Sequence, residues 1–357
     1  MSTSTPVVRA VDLFCGAGGL SYGLRQAGIE VVGGFDIDPR CAYPFEANIK
    51  APFFEQDVRT VTAKQLKKLW GRGAVRILAG CAPCQPFSSH RRGVDTSADE
   101  SWPLLDEFAR LAEETLPDIV TMENVPRVVG SGVFKRFVES LQVQGYKISY
   151  KSCYAPEYGL PQHRRRLVLL ASRIGDVAIP KGTWKEKKAI TVREIIGKLP
   201  AIGAGEVDPV DRLHKSRNLS EVNLARIQAS RPGGTWRDWP EELRAPCHRK
   251  PSGSSFANVY ARMEWDQPAP TITTQAHNFG TGRFGHPEQD RAITLREAAM
   301  LQGFPRSYRF TAKNEPIEFA PLGRLIGNAV PPPLGKMVGT AVMNFILESR
   351  RGRGRDE

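Results

Sequence analysis

The chain has 357 residues, and 50 Lys and Arg against 38 Asp and Glu give it a formal net charge of +12. With 41% apolar and 25% charged residues it has the composition of a globular protein, which excludes disordered, collagenous and membrane-embedded classes. The length suggests about two domains. The positive charge favours a polyanionic partner without identifying it.

The first residues lack a signal-peptide pattern, and no apolar run approaches the roughly 20 residues that a transmembrane helix needs. The six cysteines are spread thinly over the chain, which favours thiols in a reducing compartment over a disulfide framework. We therefore expect a cytoplasmic protein that does not enter a membrane.

Short apolar runs alternate with amphipathic stretches in the first half of the chain. Strands are predicted over residues 7–14, 31–35, 76–79, 118–122, 147–154 and 167–171. Helices are predicted up to Gly28 and over residues 62–70, 104–116 and 133–143. This alternation predicts an α/β fold with a parallel, doubly wound sheet.

The pattern changes after about Ser172. Residues 173–290 are rich in Pro, Gly, Trp and basic residues, with short helices predicted over 191–198 and 221–229; longer helices follow over 294–302 and 334–347. Capping-box patterns predict the helix starts at Thr62, Thr191 and Thr294. We predict a first domain over residues 1–180, completed by about 321–348. A second, smaller and loop-rich domain covers 181–320, and 349–357 form a basic disordered tail.

The end of the first strand and the end of the second favour a nucleoside-containing cofactor. Gly16, Gly18 and Gly19 would let a ligand approach the backbone at a helix N-terminus. Asp36, after the second strand, is placed to accept hydrogen bonds from a ribose. The spacing differs from that of a dinucleotide site, and a tight turn packed for helix–sheet contact is the alternative.

Cys81 and Cys84 form a CxxC motif after the strand at residues 76–79. A zinc site needs a second pair, which Cys153 and Cys247 do not supply, so we expect no metal. A redox pair remains open. The third interpretation is that Cys84 is a nucleophilic thiolate at the carboxyl edge of the sheet, where α/β enzymes place their chemistry.

Two further segments carry charge at sheet strands. Glu123 ends the strand before Val125 and Pro126, where a partly desolvated carboxyl would suit a general acid, although a surface glutamate or helix cap is the alternative. Arg164 and Arg166 precede a buried strand and are expected on the same side of it.

These segments resemble the C5-specific DNA cytosine methyltransferases, in the motif order of that family and along nearly the whole chain. The matching segments are DLFCGAGGL at 12–20, PCQPFS at 83–88, ENV at 123–125, QHRRR at 162–166, RAITLREAAMLQGFP at 291–305 and IGNAVP at 326–331. The resemblance implies a Rossmann-like methyltransferase sheet with a target recognition domain over about 181–320.

The resemblance also implies the reaction. A cytosine is flipped out of duplex DNA, Cys84 attacks its C6, and C5 takes the methyl group of S-adenosylmethionine. Glu123 would protonate or hydrogen-bond N3 of the base, and Arg166 would contact O2 with support from Arg164.

The implied cofactor contacts come from both ends of the chain. They are Phe14 and Ile37 on the adenine, Gly16, Gly18 and Gly19 near the methionine part, Asp36 at the ribose, Asp57 at the exocyclic amine, and Asn328 and Val330 from the C-terminal segment. Asp36 stands where the family usually has a glutamate, so its reach is shorter.

Double-stranded DNA is the implied partner. The candidate DNA contacts are Gln85, Ser88, His90, Thr271, Thr273 and Arg283. We expect a monomer that is prokaryotic, cytoplasmic and nucleoid-associated, with a restriction endonuclease as a candidate functional partner. An RNA methyltransferase, a catalytically dead DNA-binding homologue and an oxidoreductase are the alternatives. The variable recognition block over about 181–290, roughly 110 residues, disfavours the first, the presence of Cys84 disfavours the second, and the arginine pair disfavours the third.

Overall fold

The computed structural model describes residues 6–83, 103–183, 189–250, 253 and 256–353. The chain divides into two compact units. Met1–Tyr154, Arg165–Gly182 and Val330–Glu357 form the first unit, and Ala155–Arg164 with Thr183–Ala329 form the second. The functional domain boundaries expected from the sequence differ in detail and stay a prediction. Among the residues described, no helix is long and apolar enough to cross a membrane.

The first unit contains a seven-stranded sheet in the order β3-β2-β1-β4-β5-β7-β6. The strands are β1 Val8–Leu13, β2 Glu30–Asp36, β3 Phe53–Glu55, β4 Val75–Gly80, β5 Ile119–Asn124, β6 Lys147–Tyr154 and β7 Arg165–Ser172. The pairs from β3 to β5 are parallel, as predicted, whereas β7 runs antiparallel to both β5 and β6. The prediction of parallel strands throughout is therefore wrong for β7. No crossover helix separates β6 from β7, and antiparallel strands do not need one.

The parallel strands bring their carboxyl ends to one edge of the sheet. β1 ends at Leu13, β2 at Asp36, β4 at Gly80 and β5 at Asn124. The chain order reverses between β1 and β4, and such a switch point is where open α/β sheets bind ligands. Gly16, Asp36, Cys81 and Glu123 lie at or shortly after these strand ends.

Helices cover the sheet and bury its apolar faces. Those of the first unit are α1 Gly19–Gln26, α2 Ala42–Ile49, α3 Ala63–Trp70, α4 Pro103–Thr115, α5 Gly132–Val143 and, at its C-terminal end, α10 Pro332–Arg353. The predicted capping box of Thr62 and Gln65 is confirmed at the start of α3. Phe108 and Phe137 join α4 to α5 within the core, with ring centroids 5.4 Å apart.

Helices α1 and α10 approach each other at a glycine. A Cβ on Gly23 would lie 2.3 Å from the carbonyl oxygen of Pro332 and 2.4 Å from the amide nitrogen of Lys336. The chain thus returns from its far end to complete the first unit. Helix α10 runs to Arg353, beyond the predicted end at Leu347, so it includes part of the segment predicted as a disordered tail.

The second unit has short helices joined by loops, as its composition predicted. They are α6 Val192–Ile196, α7 Glu221–Gln228, α8 Leu295–Leu301 and α9 Phe319–Asn328. Ile227, Trp236, Trp239, Phe279 and Ala292 form a small apolar core. The capping boxes predicted at Thr191 and Thr294 are confirmed, whereas α9 was not predicted.

Candidate functional site

Glu123 lies at the carboxyl end of β5 with only 6% of its surface exposed. It is paired with Val168 of the antiparallel strand β7. Arg166 comes two residues before Val168, so it shares the face of the sheet with Glu123 and is a diagonal neighbour within reach of a long side chain. The Nε atom of Arg166 lies 3.0 Å from Oε1 of Glu123.

The other oxygen of Glu123 has a partner from the end of β4. The thiol Sγ of Cys81 donates a hydrogen bond to Oε2 at 3.2 Å. By contrast, Oε1 is buried and receives no aligned hydrogen bond from any residue that the structure describes, despite the short distance to Arg166. A buried carboxylate oxygen in this state can accept a hydrogen bond from a bound ligand.

The predicted nucleophile lies outside the described residues. The same holds for Gln85, Ser88 and His90, which were expected to contact DNA, so the structure describes Pro83 but not Cys84. The chain that leads to Cys84 is anchored at Ala82, whose carbonyl accepts a hydrogen bond from Nδ2 of Asn124 at 3.2 Å. Residues 81–83 therefore leave the sheet beside Glu123.

Arg164 has different surroundings from Arg166. It belongs to the second unit, and its side chain is buried, with 4% exposure. Its Nη1 donates to the carbonyl of Ile272 at 3.0 Å, and its Nη2 reaches the carbonyl of Gly327 at 3.4 Å. Strand β7 begins at Arg165, so Arg164 precedes it. These contacts suit a residue that holds backbone segments in place.

The loop after β1 has the backbone of a ligand-binding turn. Phe14 has φ 56°, which is uncommon outside glycine, and Gly16 and Gly18 have φ 52° and 87°. A Cβ on Gly16 would meet nothing within 4 Å among the surrounding atoms. The backbone at Gly16 thus faces open space, where a ligand can approach closely, and Gly19 opens α1 directly after it.

Two acidic residues support this loop. Oδ2 of Asp36 accepts the amide hydrogen of Gly16 at 2.9 Å, and Oδ1 accepts that of Asp38 at 3.0 Å. Burial raises the pKa of Asp36. Asp12 accepts a hydrogen bond from the hydroxyl of Ser21 at 2.6 Å, and its burial raises its pKa to about 7. Ser21 lies in α1, so Asp12 ties β1 to this helix.

The remaining predicted cofactor contacts are found in varied settings. Ile37 follows β2 with 68% of its surface exposed, which is unusual for an isoleucine and suits contact with an apolar ligand face. The carboxylate of Asp57 accepts the amide hydrogen of Arg59 at 2.9 Å and lies 3.3 Å from its guanidinium. Asn328 ends α9 in the second unit and is exposed, and Val330 is buried in the first unit.

The predicted DNA contacts of the second unit have internal partners. Thr271 donates its hydroxyl to the carbonyl of His163 at 2.5 Å, and Oγ1 of Thr273 accepts the amide hydrogen of Gln275 at 3.3 Å. Arg283 donates to the carbonyls of Gly234 and Arg262 and to Oδ1 of Asn258, within 3.0 Å in each case.

Two glutamines in the motif segments, Gln162 and Gln302, make contacts that the sequence did not predict. Oε1 of Gln162, a residue of the QHRRR segment, accepts the amide hydrogen of Ile272 at 2.9 Å. Its Nε2 donates to Oε1 of Gln302 at 2.8 Å, and Gln302 in turn donates to the carbonyl of Ala329 at 2.9 Å. Both glutamines are fully buried. Their position inside recognised segments was the available signal, but no local pattern indicates the pairing.

Comparisons with known proteins agree with these observations. A family model described as C-5 cytosine-specific DNA methylase matches residues 8–344. Type II methylase M.HgiDII of Herpetosiphon aurantiacus is 48% identical over 339 residues, covering 94% of this chain and 95% of that protein. Type II methyltransferase M1.HphI of Haemophilus parahaemolyticus is 31% identical over 341 residues, covering 94% and 86%.

A solved structure supports the fold independently of close sequence similarity. A prophage-encoded protein of E. coli, described as a DNA modification methyltransferase, matches with a TM-score of 0.72 at 22% identity. The match covers 95% of this chain and 99% of that one. Together with the sheet order, this confirms the predicted Rossmann-like, doubly wound methyltransferase fold.

Proposed function

The chain belongs to the C-5 cytosine-specific DNA methylase family and is a DNA (cytosine-5-)-methyltransferase, and we propose that it methylates a cytosine flipped out of duplex DNA through a covalent adduct with Cys84. The observation that carries this mechanism is the buried Glu123 carboxyl group, whose Oε1 lies 3.0 Å from Arg166 Nε and has no aligned hydrogen bond among the described residues. A cytosine presents N3 and O2 next to each other, which matches one carboxyl oxygen beside one guanidinium.

The chemical difficulty is that C5 of cytosine is a poor nucleophile. In the proposed reaction the Cys84 thiolate forms a bond to C6, and the ring electrons move toward C5 and toward N3 and O2. Glu123 gives a proton or hydrogen bond to N3, and Arg166 donates to O2, so positioned donors stabilise the developing charge. After C5 has accepted a methyl group, for which S-adenosylhomocysteine would be the leaving group, the C5 proton passes to solvent and any proton on N3 returns to Glu123. Cleavage of the Cys84–C6 bond then releases the base and the thiolate.

The target atoms lie inside the base stack of a duplex. The cytosine must therefore be extruded, which costs a few kcal/mol before chemistry begins. Because Glu123 lies at the carboxyl end of β5 and Arg166 near the start of the antiparallel strand β7, the base must come to the carboxyl edge of the sheet. This requirement favours extrusion over any reaction within the stack.

The residues after β1 and β2 fit S-adenosylmethionine. The open face at Gly16 can receive the ligand, and Asp36 has lone pairs left for a ribose after accepting two amide hydrogens. The exposed Ile37 would pack on the adenine, and so would the half-buried Phe14. When bound, S-adenosylmethionine supplies the methyl group that C5 accepts. Asp57, Asn328 and Val330 complete the proposed set of contacts, and no metal is involved in the proposed chemistry.

The second unit is proposed to read the DNA target, with Thr271 and Thr273 among its contacts. Arg283 is proposed to support this unit internally, since its guanidinium already has three acceptors there. The similarity to Type II methylases leads us to place the protein in a restriction–modification system, with a restriction endonuclease as its functional partner.

The direct test is transfer of label from methyl-labelled S-adenosylmethionine to unmodified duplex DNA. We expect incorporation at cytosine by the full chain, none by Cys84→Ala, and unchanged incorporation by Cys247→Ala, a matched control at an exposed cysteine. Duplex DNA with 5-fluorocytosine should trap the Cys84 adduct, because fluorine cannot leave as a proton does. Turnover by Cys84→Ala, or label only in RNA, would overturn the proposal.

Bisulfite sequencing of DNA from a host that expresses the protein complements this assay. It reports the methylated cytosine and its sequence context together. Protection at one short recurring sequence is expected for a restriction–modification enzyme, whereas methylation without sequence preference would argue against that context.

A further inference from the structure

The two carboxylate oxygens of Glu123 have different environments. Oε2 accepts a hydrogen bond from Sγ of Cys81 at 3.2 Å. Within the part of the chain that the structure describes, Oε1 is buried without an aligned donor, and Arg166 Nε approaches it at 3.0 Å. Because only 6% of the surface of Glu123 is exposed, bulk water does not make these environments equivalent. The asymmetry leaves one oxygen held and the other available.

Hydrogen bonds to the main chain hold the backbone at Cys81 and Ala82 in place. The amide nitrogen of Cys81 donates to the carbonyl of Leu13 at 3.4 Å, which joins it to the end of β1. The next residue, Ala82, is held through its carbonyl by Nδ2 of Asn124 at 3.2 Å. Asn124 directly follows Glu123 in β5. This hydrogen bond therefore holds the backbone that bears the thiol close to the strand that bears the Glu123 carboxyl group.

We propose that Cys81 is a positioning residue, which orients the Glu123 carboxyl group through Oε2 so that Oε1 faces the cytosine. The inference rests on the proposed function of Glu123. Rotation about the last side-chain bond of a glutamate is broad and roughly two-fold, so an unheld carboxyl would present either oxygen over a range of angles. A donor on Oε2 restricts this rotation and keeps Oε1 beside Arg166.

The contact gives Cys81 a role that the CxxC spacing does not suggest. The spacing pairs Cys81 with Cys84 as a redox couple, and the hydrogen bond to Glu123 adds a carboxyl partner for the thiol. A thiol is a weak donor, so its effect is expected to be moderate and confined to the rate of the chemical step. Binding of the methyl donor, which involves other strand ends, should not change.

The experiment compares Cys81→Ala, which removes the donor, with Cys81→Ser, which keeps one. Single-turnover rates are measured with the full chain, duplex DNA and saturating S-adenosylmethionine under reducing conditions. Loss of one modest hydrogen bond predicts a fall in rate of about fivefold for Cys81→Ala. The serine variant should recover most of the rate, the KM for S-adenosylmethionine should stay constant, and Cys247→Ala should behave as wild type.

A double-mutant cycle with Glu123→Ala, which removes the acceptor of the Cys81 thiol, separates orientation from general packing. If Cys81 acts through the carboxylate, Cys81→Ala should have little further effect once Glu123 has been replaced. The same fold loss in both backgrounds would overturn the inference, as would equal losses for the alanine and serine variants or an unchanged rate for alanine.

Failure of the inference can be told from failure of the proposed function. If Glu123→Ala abolishes most of the rate while Cys81→Ala does not alter it, only the positioning role is wrong. If Glu123→Ala itself retains the wild-type rate, the proposed mechanism is wrong, and the role of Cys81 falls with it.

Discussion

Replacing Glu297 by Gln should destabilise the second unit strongly. Glu297 and Arg291 form a bidentate ion pair with both contacts at 2.8 Å, and their side chains are 1% and 0% exposed. Glu297 also accepts the amide hydrogen of Thr294 at 2.7 Å and so closes the capping box of α8. The substitution keeps the shape of the side chain but leaves the Arg291 charge buried without a counterion.

The expected cost follows from two independent considerations. Removing one partner of a buried ion pair typically costs about 3–5 kcal/mol. The carbonyls of Ile202 and Ala292 and the side chain of Gln289 still accept from Arg291, which favours the lower end of this range. Burial raises the pKa of Glu297, but the hydrogen bonds and charge of Arg291 outweigh it and lower the pKa to about 2. A shift from 4.5 to about 2 corresponds to about 3 kcal/mol.

The same shift fixes the direction of the pH dependence. Because the pKa is lower in the folded state, the contribution of Glu297 is present above pH 4.5 and is lost as the pH falls toward about 2. Wild-type stability should therefore fall through this window, whereas Glu297→Gln should lack that part of the dependence. At neutral pH a loss of this size lowers the Tm of the second unit by about 10 °C.

Calorimetry and tryptophan fluorescence can follow this unit, since Trp236, Trp239 and Trp265 belong to it. Asp266→Asn is the matched control, because it removes an ion pair with Arg193 whose side chains are 72% and 54% exposed. The control should hardly move the Tm. Replacing both Arg291 and Glu297 by apolar residues should recover much of the loss. Equal Tm values for Glu297→Gln and Asp266→Asn would refute the argument.

Three further predictions concern the first unit and the arginine pair. Asp12→Asn should be more stable than wild type at pH 8 by up to about 4 kcal/mol, because the raised pKa of about 7 makes wild-type stability fall as the pH rises from about 4 through 7. Urea unfolding at pH 5 and pH 8 should give different differences in unfolding free energy between the variant and wild type. The same difference at both pH values would contradict this. Gly23→Ala should cost about 3 kcal/mol, since its Cβ would lie 2.3 Å from the Pro332 carbonyl, whereas Gly132→Ala, with a nearest contact at 3.8 Å, should leave the Tm almost unchanged. Arg164→Lys should lower the Tm, because one ammonium cannot replace a buried guanidinium that donates to two carbonyls from separate nitrogens. Arg166→Lys should instead lower kcat with little change in Tm. The opposite pattern would reverse the assigned roles.

The sheet and most of its helices could be predicted because their signals are local. Periodic apolar runs and capping boxes depend on neighbouring residues, and the predicted boxes at Thr62, Thr191 and Thr294 all form. Strand β3 has three partly buried or exposed residues, so no apolar run marks it in the sequence. Helix α9 was missed although it buries Leu322, Leu325 and Ile326 at helical spacing. The direction of β7 could not be derived either, because strand orientation depends on how the chain returns between strands.

The site could be predicted as a set of strand ends, and its detailed contacts could not. Parallel strands place the ends of β1, β2, β4 and β5 at one edge, whatever the side chains are. Which atom contacts which depends on register across β5 and β7, where Glu123 faces Val168 and thereby meets Arg166. Register is a long-range property, and the hydrogen bond from Cys81 to Glu123 depends on it in the same way.

Two of the three arginines of the QHRRR segment, Arg164 and Arg166, illustrate why spacing alone misleads. Alternation along a strand would give Arg164 and Arg166 the same surroundings, but β7 begins only at Arg165. Arg166 therefore follows the sheet and meets the Glu123 carboxylate, whereas Arg164 remains in a loop and donates to the carbonyls of Ile272 and Gly327. A charge beside a carboxylate can take part in the chemistry of the base, and a charge buried against carbonyls organises the backbone. Part of the net charge of +12 is thus structural, so counting basic residues overstates how many are available to DNA phosphates.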